Sequence, residues 1–407
     1  MSIMQNPMKN PIQNAVLAVN AGSSSLKFAL YPKHNYQVDK ACLTGVIEGL
    51  EPGGIPRISV CDDQGESQRM LPPAISDSFD HALDALREVL VSHSDSLRIV
   101  AIAHRIVHGG ARYATSIVLD DAALDYLESL SALAPLHQPH NLEGIHAFRR
   151  AYPALPQIGC FDTAFHATIP LTEQLFALPQ ALRASGIRRY GFHGLSYRYV
   201  AGRLAERSVQ AGKKVLIAHL GNGASACALQ NGKSIATSMG FSALDGLMMG
   251  TRCGAIDPGV LLHLMRQGWD LKKIERTLYR ESGLSGVSGI SADMRTLRAS
   301  DQPDAALAID LFTHRLVKEC GALTACLGGL DLIAFTGGIG EHDAALRQAS
   351  CERLHYLGVK IDPERNLAAT GSHMLPIHAP DSRVEVWVVP TDEGRVAAGD
   401  AAQLCRR

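Results

Sequence analysis

Ala15-Val-Leu-Ala-Val19, Asn20-Ala-Gly-Ser-Ser-Ser25 and Leu26-Lys-Phe-Ala-Leu30 follow one another near the N-terminus. The first reads as a buried strand, the second as a turn and the third, which alternates, as another strand. The same order returns downstream: Val215 to His219 is apolar, Leu220-Gly-Asn-Gly-Ala-Ser225 turns the chain, and Ala226 to Leu229 leads away as a strand. Either hairpin alone reads as an ordinary tight turn. Their recurrence points to an internally duplicated α/β protein whose small, donor-rich tips grip polyphosphate. Gly and Ser let the backbone come close and accept φ > 0, and their N–H groups form anion nests. Lys27 on the outgoing strand adds a point charge. No G-x-x-x-x-G-K-[ST] string occurs and the first loop leads into a strand, which excludes a Walker A loop.

At 407 residues the chain exceeds the size at which single cores stop growing, so two domains are expected, with length for a deep cleft between them. Its 39 basic and 40 acidic residues leave a net charge of -1, which gives no electrostatic case for nucleic acid or a membrane surface. Any anion binding must be local. The nine cysteines are scattered without a C-x-x-C pair, arguing for reduced thiols and a cytoplasmic location. The first fourteen residues hold Pro7, Pro11 and a single charge at Lys9, so no signal-peptide core is seen; residues 1–12 read as a flexible tail. Residues 320–340 are nearly charge-free, but Asp331 and four glycines break them into a core helix followed by a strand.

Along the chain, polar residues cluster at the C-terminal ends of expected strands, where open α/β sheets bind ligands. The strand Ile99 to Ala103 ends in His104-Arg-Ile-Val-His-Gly-Gly110, and Pro156 to Cys160 in Phe161-Asp-Thr-Ala-Phe-His166. Leu332 to Thr336 runs into Gly337-Gly-Ile-Gly-Glu341, and Val384 to Pro390 reaches Thr391-Asp-Glu-Gly394. Helices are expected at Phe79 to Ser92, Asp120 to Leu133, from Leu142, Asp304 to Leu327 and Arg395 to Leu404. The pairs His104/His108 and His137/His140 raise zinc, but there is no H-E-x-x-H string and no third ligand at useful spacing.

Taken in order, Asn20-Ala-Gly-Ser-Ser-Ser-Leu-Lys27, His104-Arg-Ile-Val-His-Gly-Gly110, Phe161-Asp-Thr-Ala-Phe-His166, Tyr190-Gly-Phe-His-Gly194, His219-Leu-Gly-Asn-Gly-Ala-Ser225 and Gly337-Gly-Ile-Gly-Glu341 resemble the acetate kinase family, across nearly the whole chain. The resemblance implies the duplicated two-domain fold of acetate and sugar kinases, Hsp70 and actin (ribonuclease H-like), with an interdomain active-site cleft. It implies an N-terminal domain at 13–163, completed by a helix at about 393–407, and a nucleotide-binding domain at 164–392. It further implies a homodimer that phosphorylates acetate or another short-chain carboxylate with ATP and Mg²⁺, or Mn²⁺. Propionate kinase is the near alternative. A non-catalytic ATP-binding switch is the alternative of another class, since fold does not dictate function.

By the same resemblance, Arg105 holds the carboxylate, Arg252 spans carboxylate and phosphoryl, His193 stabilises the transferring phosphoryl and Asp162 orients an arginine. Val107, Leu136, Phe192 and Ala243 form the substrate wall. Lys27, Ser23, Ser25, His219, Leu220, Gly221, Asn222 and Gly223 take the nucleotide's phosphates, while Asp293, Met294, Arg295, Gly338, Ile339, Gly340, Glu341 and His342 take the rest of the nucleotide. Asn20 and Glu393 are the magnesium partners. The family commonly has Pro where Ala243 stands, Ser-Gly-Asp at Cys253-Gly-Ala255, Asn at His342 and Asn-Glu-Glu at Asp392-Glu-Gly394. Read singly, Arg105 is equally a structural ion pair and Asp162 a cap.

Overall fold

The computed structural model describes residues 12–51, 53–72, 78–92, 97–135 and 137–405. The chain forms two compact units, one made of Met1–Phe161 with Glu393–Arg407 and the other of Asp162–Asp392.

In the first unit, β1 (Gln13–Ala21), β2 (Ser25–His34), β3 (Gln37–Val38), β4 (Leu43–Glu48), β5 (Arg57–Asp62), β6 (Gly65–Met70), β7 (Leu97–Ile106), β8 (Ile117–Val118) and β9 (Gln157–Phe161) build one sheet. Its order is β6-β5-β4-β2-β1-β7-β9-β8, with β3 beside β2. β1 and β2 are the expected hairpin, antiparallel with Asn20 opposite Lys27, and β7 lies parallel to β1. Because strand side chains alternate, Ala15, Leu17 and Val19 face a core completed by Phe79, Ala82 and Leu86 of the helix Ser78–Ser92 and by Phe148. The last helix, Glu393–Leu404, packs on β1 and β7. Its buried residues are four alanines and Asp400, which accepts from Ser116 Oγ at 2.5 Å, and a Cβ on Gly394 would meet the Tyr31 hydroxyl at 2.5 Å, so mostly small residues set how closely it approaches the sheet.

In the second unit, β10 (Lys214–Leu220), β11 (Ala224–Gln230), β12 (Lys233–Thr237), β13 (Leu332–Thr336), β14 (Leu375–Pro376) and β15 (Glu385–Val388) are ordered β12-β11-β10-β13-β15-β14. β10 and β11 form the second hairpin, with β13 parallel to β10 and β15 parallel to β13. The sequence β4-β2-β1-β7-β9 in one sheet and β12-β11-β10-β13-β15 in the other are therefore the same wiring, three antiparallel strands and then two parallel ones. The duplication read from two loops is a duplication of sheet topology. The helix Pro303–Leu327 ends at Gly328 in the left-handed conformation, closed by Gly328 N–H to Ala325 O and Gly329 N–H to Thr324 O. Among the described residues no helix is long and apolar enough to cross a membrane.

Several boundaries moved. The helix expected from Leu142 opens at Gln138, because Pro139 suits the first turn, where its missing N–H costs nothing. The expected helix Asp120 to Leu133 is an α-helix Asp121–Ser129, capped by Asp120, followed by a separate 3₁₀ turn at Ser131–Leu133. The last helix begins at Glu393 rather than Arg395.

Candidate active site

The tip of β10–β11 is closed by Gly221 N–H to Gly223 O at 3.1 Å, and the Asn222 carbonyl accepts from Gly250 N–H at 2.9 Å. Neither tip glycine has a positive φ, contrary to the expectation from the sequence. Their value is the missing Cβ. At Gly223 that atom would stand 3.5 Å from His193 Nε2 and 3.7 Å from Arg252 Nη1, so the space those two donors share is left open. Arg252 is carried there by a loop that only glycine allows: a Cβ on Gly250 would lie 2.0 Å from Asn222 Oδ1, and one on Gly283, at φ +64°, would lie 2.2 Å from the Met249 carbonyl. The guanidinium donates from Nη1 to the Ala243 carbonyl at 3.0 Å, which aims it.

His193 takes a left-handed conformation (φ 57°, ψ 23°) just before the helix Gly194–Ala205, an outlier for a residue with a side chain. Its Nδ1 lies 2.8 Å from Ser225 Oγ, and its ring stacks on that of His219 with centroids 4.2 Å apart. His219 Nδ1 is 2.8 Å from Ser196 Oγ, which in turn meets Thr391 Oγ1 at 3.0 Å. Asp162 is buried, and its carbonyl accepts from Gly194 N–H at 2.9 Å. A Cβ at Gly194 would come within 2.2 Å of that carbonyl, so glycine lets the helix start against Asp162. Phe192 is buried and its carbonyl accepts from His166 Nε2 at 2.9 Å; burial lowers the His166 pKa from 6.5 to about 4.

In the first unit Arg105 stands on β7 with its Nε 3.5 Å from Glu393 Oε2, both about one-fifth exposed. Val107 follows the strand, buried, its N–H donating to Asn141 Oδ1 at 3.0 Å, while Asn141 Nδ2 donates to Ala21 O at 2.6 Å. Asn141 thereby ties the β1 tip to the turn after β7. Asn20 and Ser25 are half-buried at that tip, whereas Ser23 and Lys27 are exposed. Leu136 lies outside the described residues. Among the described residues no three His, Cys, Asp or Glu side chains form a metal cluster, and all nine cysteines are free thiols.

Residues 15–399 match the acetokinase family. The chain belongs to that family. It is 47% identical over 391 residues to an acetate kinase of Rhodopseudomonas palustris, covering 95% of this chain and 97% of the relative. With an acetate kinase of Methylocella silvestris it shares 44% over 403 residues, 97% and 98% of the two chains. Among solved structures, a propionate kinase from Francisella tularensis superposes with a TM-score of 0.87 at 35% identity, over 95% of this chain and 98% of that one. The acetate kinase of Porphyromonas gingivalis gives 0.85 at 34%, over 96% and 99%. Both solved kinases superpose on the duplicated α/β arrangement of this chain, in which the two sheets repeat one wiring.

The remaining acetokinase positions are distributed unevenly. Leu220 is buried beside the tip, and Gly338 and Ile339 open the helix Gly337–His342 with Gly338 exposed. Glu341 turns inward: its Oε1 accepts from Gly337 N–H at 2.8 Å, Thr336 Oγ1 at 3.2 Å and Thr391 N–H at 3.1 Å, tying the ends of β13 and β15 together. Asp293 caps the short helix Met294–Arg298 and pairs with the exposed Arg295 at 2.6 Å, while Met294 is buried. His342 is exposed and packs against Gly371. Three features were missed from the sequence: Asn141, the Ser225–Tyr197 pair behind His193, and Arg347. The last is fully buried and holds the Gly340 and Glu341 carbonyls at 2.9 Å each.

Proposed function

We propose that this acetokinase is an acetate kinase: it moves the γ-phosphoryl group of ATP reversibly onto acetate by direct in-line transfer, giving acetyl phosphate and ADP. The observation that carries the reading is the shared approach of His193 Nε2 and Arg252 Nη1 to the open space beside Gly223. Acetate has a pKa near that of Glu, about 4.3, so it arrives ionised and no general base is needed. The barrier lies in bringing one anion to another, which positioned donors and cations relieve. Arg252 and His193 take the equatorial oxygens of the transferring phosphoryl, His219 and the Gly221–Gly223 backbone take the nucleotide's phosphates, and residues 162–392 form the nucleotide-binding domain. Arg105 takes the carboxylate, since a planar fork binds it bidentately and stays charged. Asp162 acts by orientation.

Magnesium supplies charge neutralisation on the phosphates when bound. Asn20 and Glu393 would hold it: they offer three side-chain oxygens at most, and no acidic cluster competes among the described residues, which suits an ion that keeps waters and phosphate oxygens as its other ligands. The free thiols fit a reducing, cytoplasmic setting, and a homodimer is the working form that the family resemblance implies. Propionate is a second substrate to consider, because Ala243 is smaller than the proline that commonly stands there. The test is a hydroxamate assay with ATP, Mg²⁺ and acetate. Acyl hydroxamate is expected; ATP binding without it would leave a nucleotide switch.

A further inference from the structure

Behind His193 runs a relay whose direction is decided at its far end. Tyr197 is fully buried, and among the described residues Ser225 Oγ is the one hydrogen-bond partner of its hydroxyl. Ser225, equally buried, also lies 2.8 Å from His193 Nδ1. Two chained arrangements satisfy the distances; a third, with the phenol and Nδ1–H both donating to Ser225, strands the serine's own buried proton. In one, the phenol donates to Ser225 and Ser225 donates to Nδ1, which leaves the imidazole proton on Nε2. In the other, Nδ1–H donates to Ser225 and Ser225 to the phenol oxygen, which strands the phenol's own proton in a dry interior with no acceptor. An unmade buried donor is the more costly state, so the first arrangement wins. Burial raises the Tyr197 ionisation well above its usual range, so that proton stays in place.

We propose that Tyr197 and Ser225 are positioning residues that hold His193 as the neutral tautomer with hydrogen on Nε2, the nitrogen that faces the space beside Gly223. His193 then meets the phosphoryl group as a donor without first taking a proton from water. Its stacked neighbour disfavours charging both rings, because two imidazolium rings 4.2 Å apart, with the Arg252 guanidinium close by, would repel. The second relay differs in kind: His219 meets Ser196 and then Thr391, two hydroxyls that can each donate or accept, so these two contacts select no tautomer. The left-handed backbone of His193 fits the same purpose, since its side chain is turned to Ser225 and makes no helix-capping hydrogen bond.

The donor's target rests on the acetate kinase reading, whereas the tautomer does not. Nitrogen-15 NMR of the imidazoles in the resting full-length protein, with His193 assigned by loss of its signals in His193→Gln, should show a protonated Nε2 and an unprotonated Nδ1 at neutral pH. Tyr197→Phe, which removes one oxygen, should mix the tautomers and lower kcat about three- to tenfold with KM for acetate unchanged. Ser225→Ala should do the same or more. Hydrogen on Nδ1 in the wild type would overturn the proposal, as would a Tyr197→Phe protein with an unaltered tautomer, whatever its kcat. A wild-type protein that forms no acyl hydroxamate would instead defeat the kinase reading.

Discussion

The tip of β1–β2 and the tip of β10–β11 share a backbone plan and differ in what surrounds them. At the first, Gly22 N–H donates to Ser25 O at 2.8 Å, Leu50 N–H donates to Ser24 O at 3.1 Å, and Ser23 and Ser24 stand exposed. A Cβ on Gly22 would touch only its own turn, the Ser25 carbonyl at 3.5 Å and hydroxyl at 3.8 Å. At the second, a Cβ would enter space that a histidine and an arginine from two other segments already address. The duplicated fold thus supplies two turns at matching places in the sheet wiring. On the proposed reading, the chemistry comes from what the second unit adds around one of them: the Tyr190–Gly194 loop and the glycine-rich stretch that carries Arg252.

If that asymmetry is real, Arg252→Ala should lose about 10³-fold or more in kcat while circular dichroism and the melting temperature stay near wild type. Arg105→Ala, in the first unit, should lose most of kcat as well. Should it unfold instead, the Glu393 pair would be structural and the carboxylate role of Arg105 would fall. Next in size, Gly223→Ala should fold normally, its contacts being ordinary, yet lose about 10²-fold in kcat/KM for ATP, because the added methyl occupies the open space. Gly22→Ala should cost no more than about fivefold. Equal losses at the two glycines would erase the contrast between the tips.

The two units should behave alike in acid. His104 in the first and His166 in the second are both buried and hydrogen-bonded, to Gln157 and to Phe192 and Ser234, and burial holds each near a pKa of about 4 against 6.5. The unfolded chain binds protons that these rings refuse, so the stability each ring contributes is present above pH 6.5 and is lost as pH falls from there toward 4. Between pH 6.5 and 5.5 each ring should cost about 1 kcal/mol, measured by urea unfolding at the two pH values. A flat profile would mean that the rings charge without penalty. The smallest effect concerns substrate size: Ala243→Pro should shift the acetate to propionate ratio of kcat/KM toward acetate by tenfold or less. An unchanged ratio would remove Ala243 from the substrate wall.

Much of this was legible in the residues. Both hairpins, the parallel strands beside them and the polar strand ends follow from short apolar runs, one of them alternating, broken by Gly and Ser, a local signal. The site itself was legible only in part. Arg347 lies on the helix Ala344–Arg353 with no motif to mark it, yet it is fully buried and holds the carbonyls of Gly340, Glu341, Asn366 and Ala369. Glu341 reads as a ligand contact in a glycine-rich turn, whereas its carboxylate gathers three donors from the chain. Neither role has a local signature, because each depends on partners brought in by folding.

Alone, the order of residues determined the duplicated α/β plan and the acetokinase membership, and it named Arg105, Asp162, His193 and Arg252 as the candidate site residues. Side-chain alternation and backbone permissiveness act over a few positions and are written directly in the string. Only the tertiary structure decided that His193 and Arg252 face one open space at Gly223, that Ala243 aims the guanidinium and that a buried tyrosine stands behind the histidine. Hydrogen-bond direction and desolvation belong to groups that meet in space from distant positions, and no spacing in the sequence records that meeting.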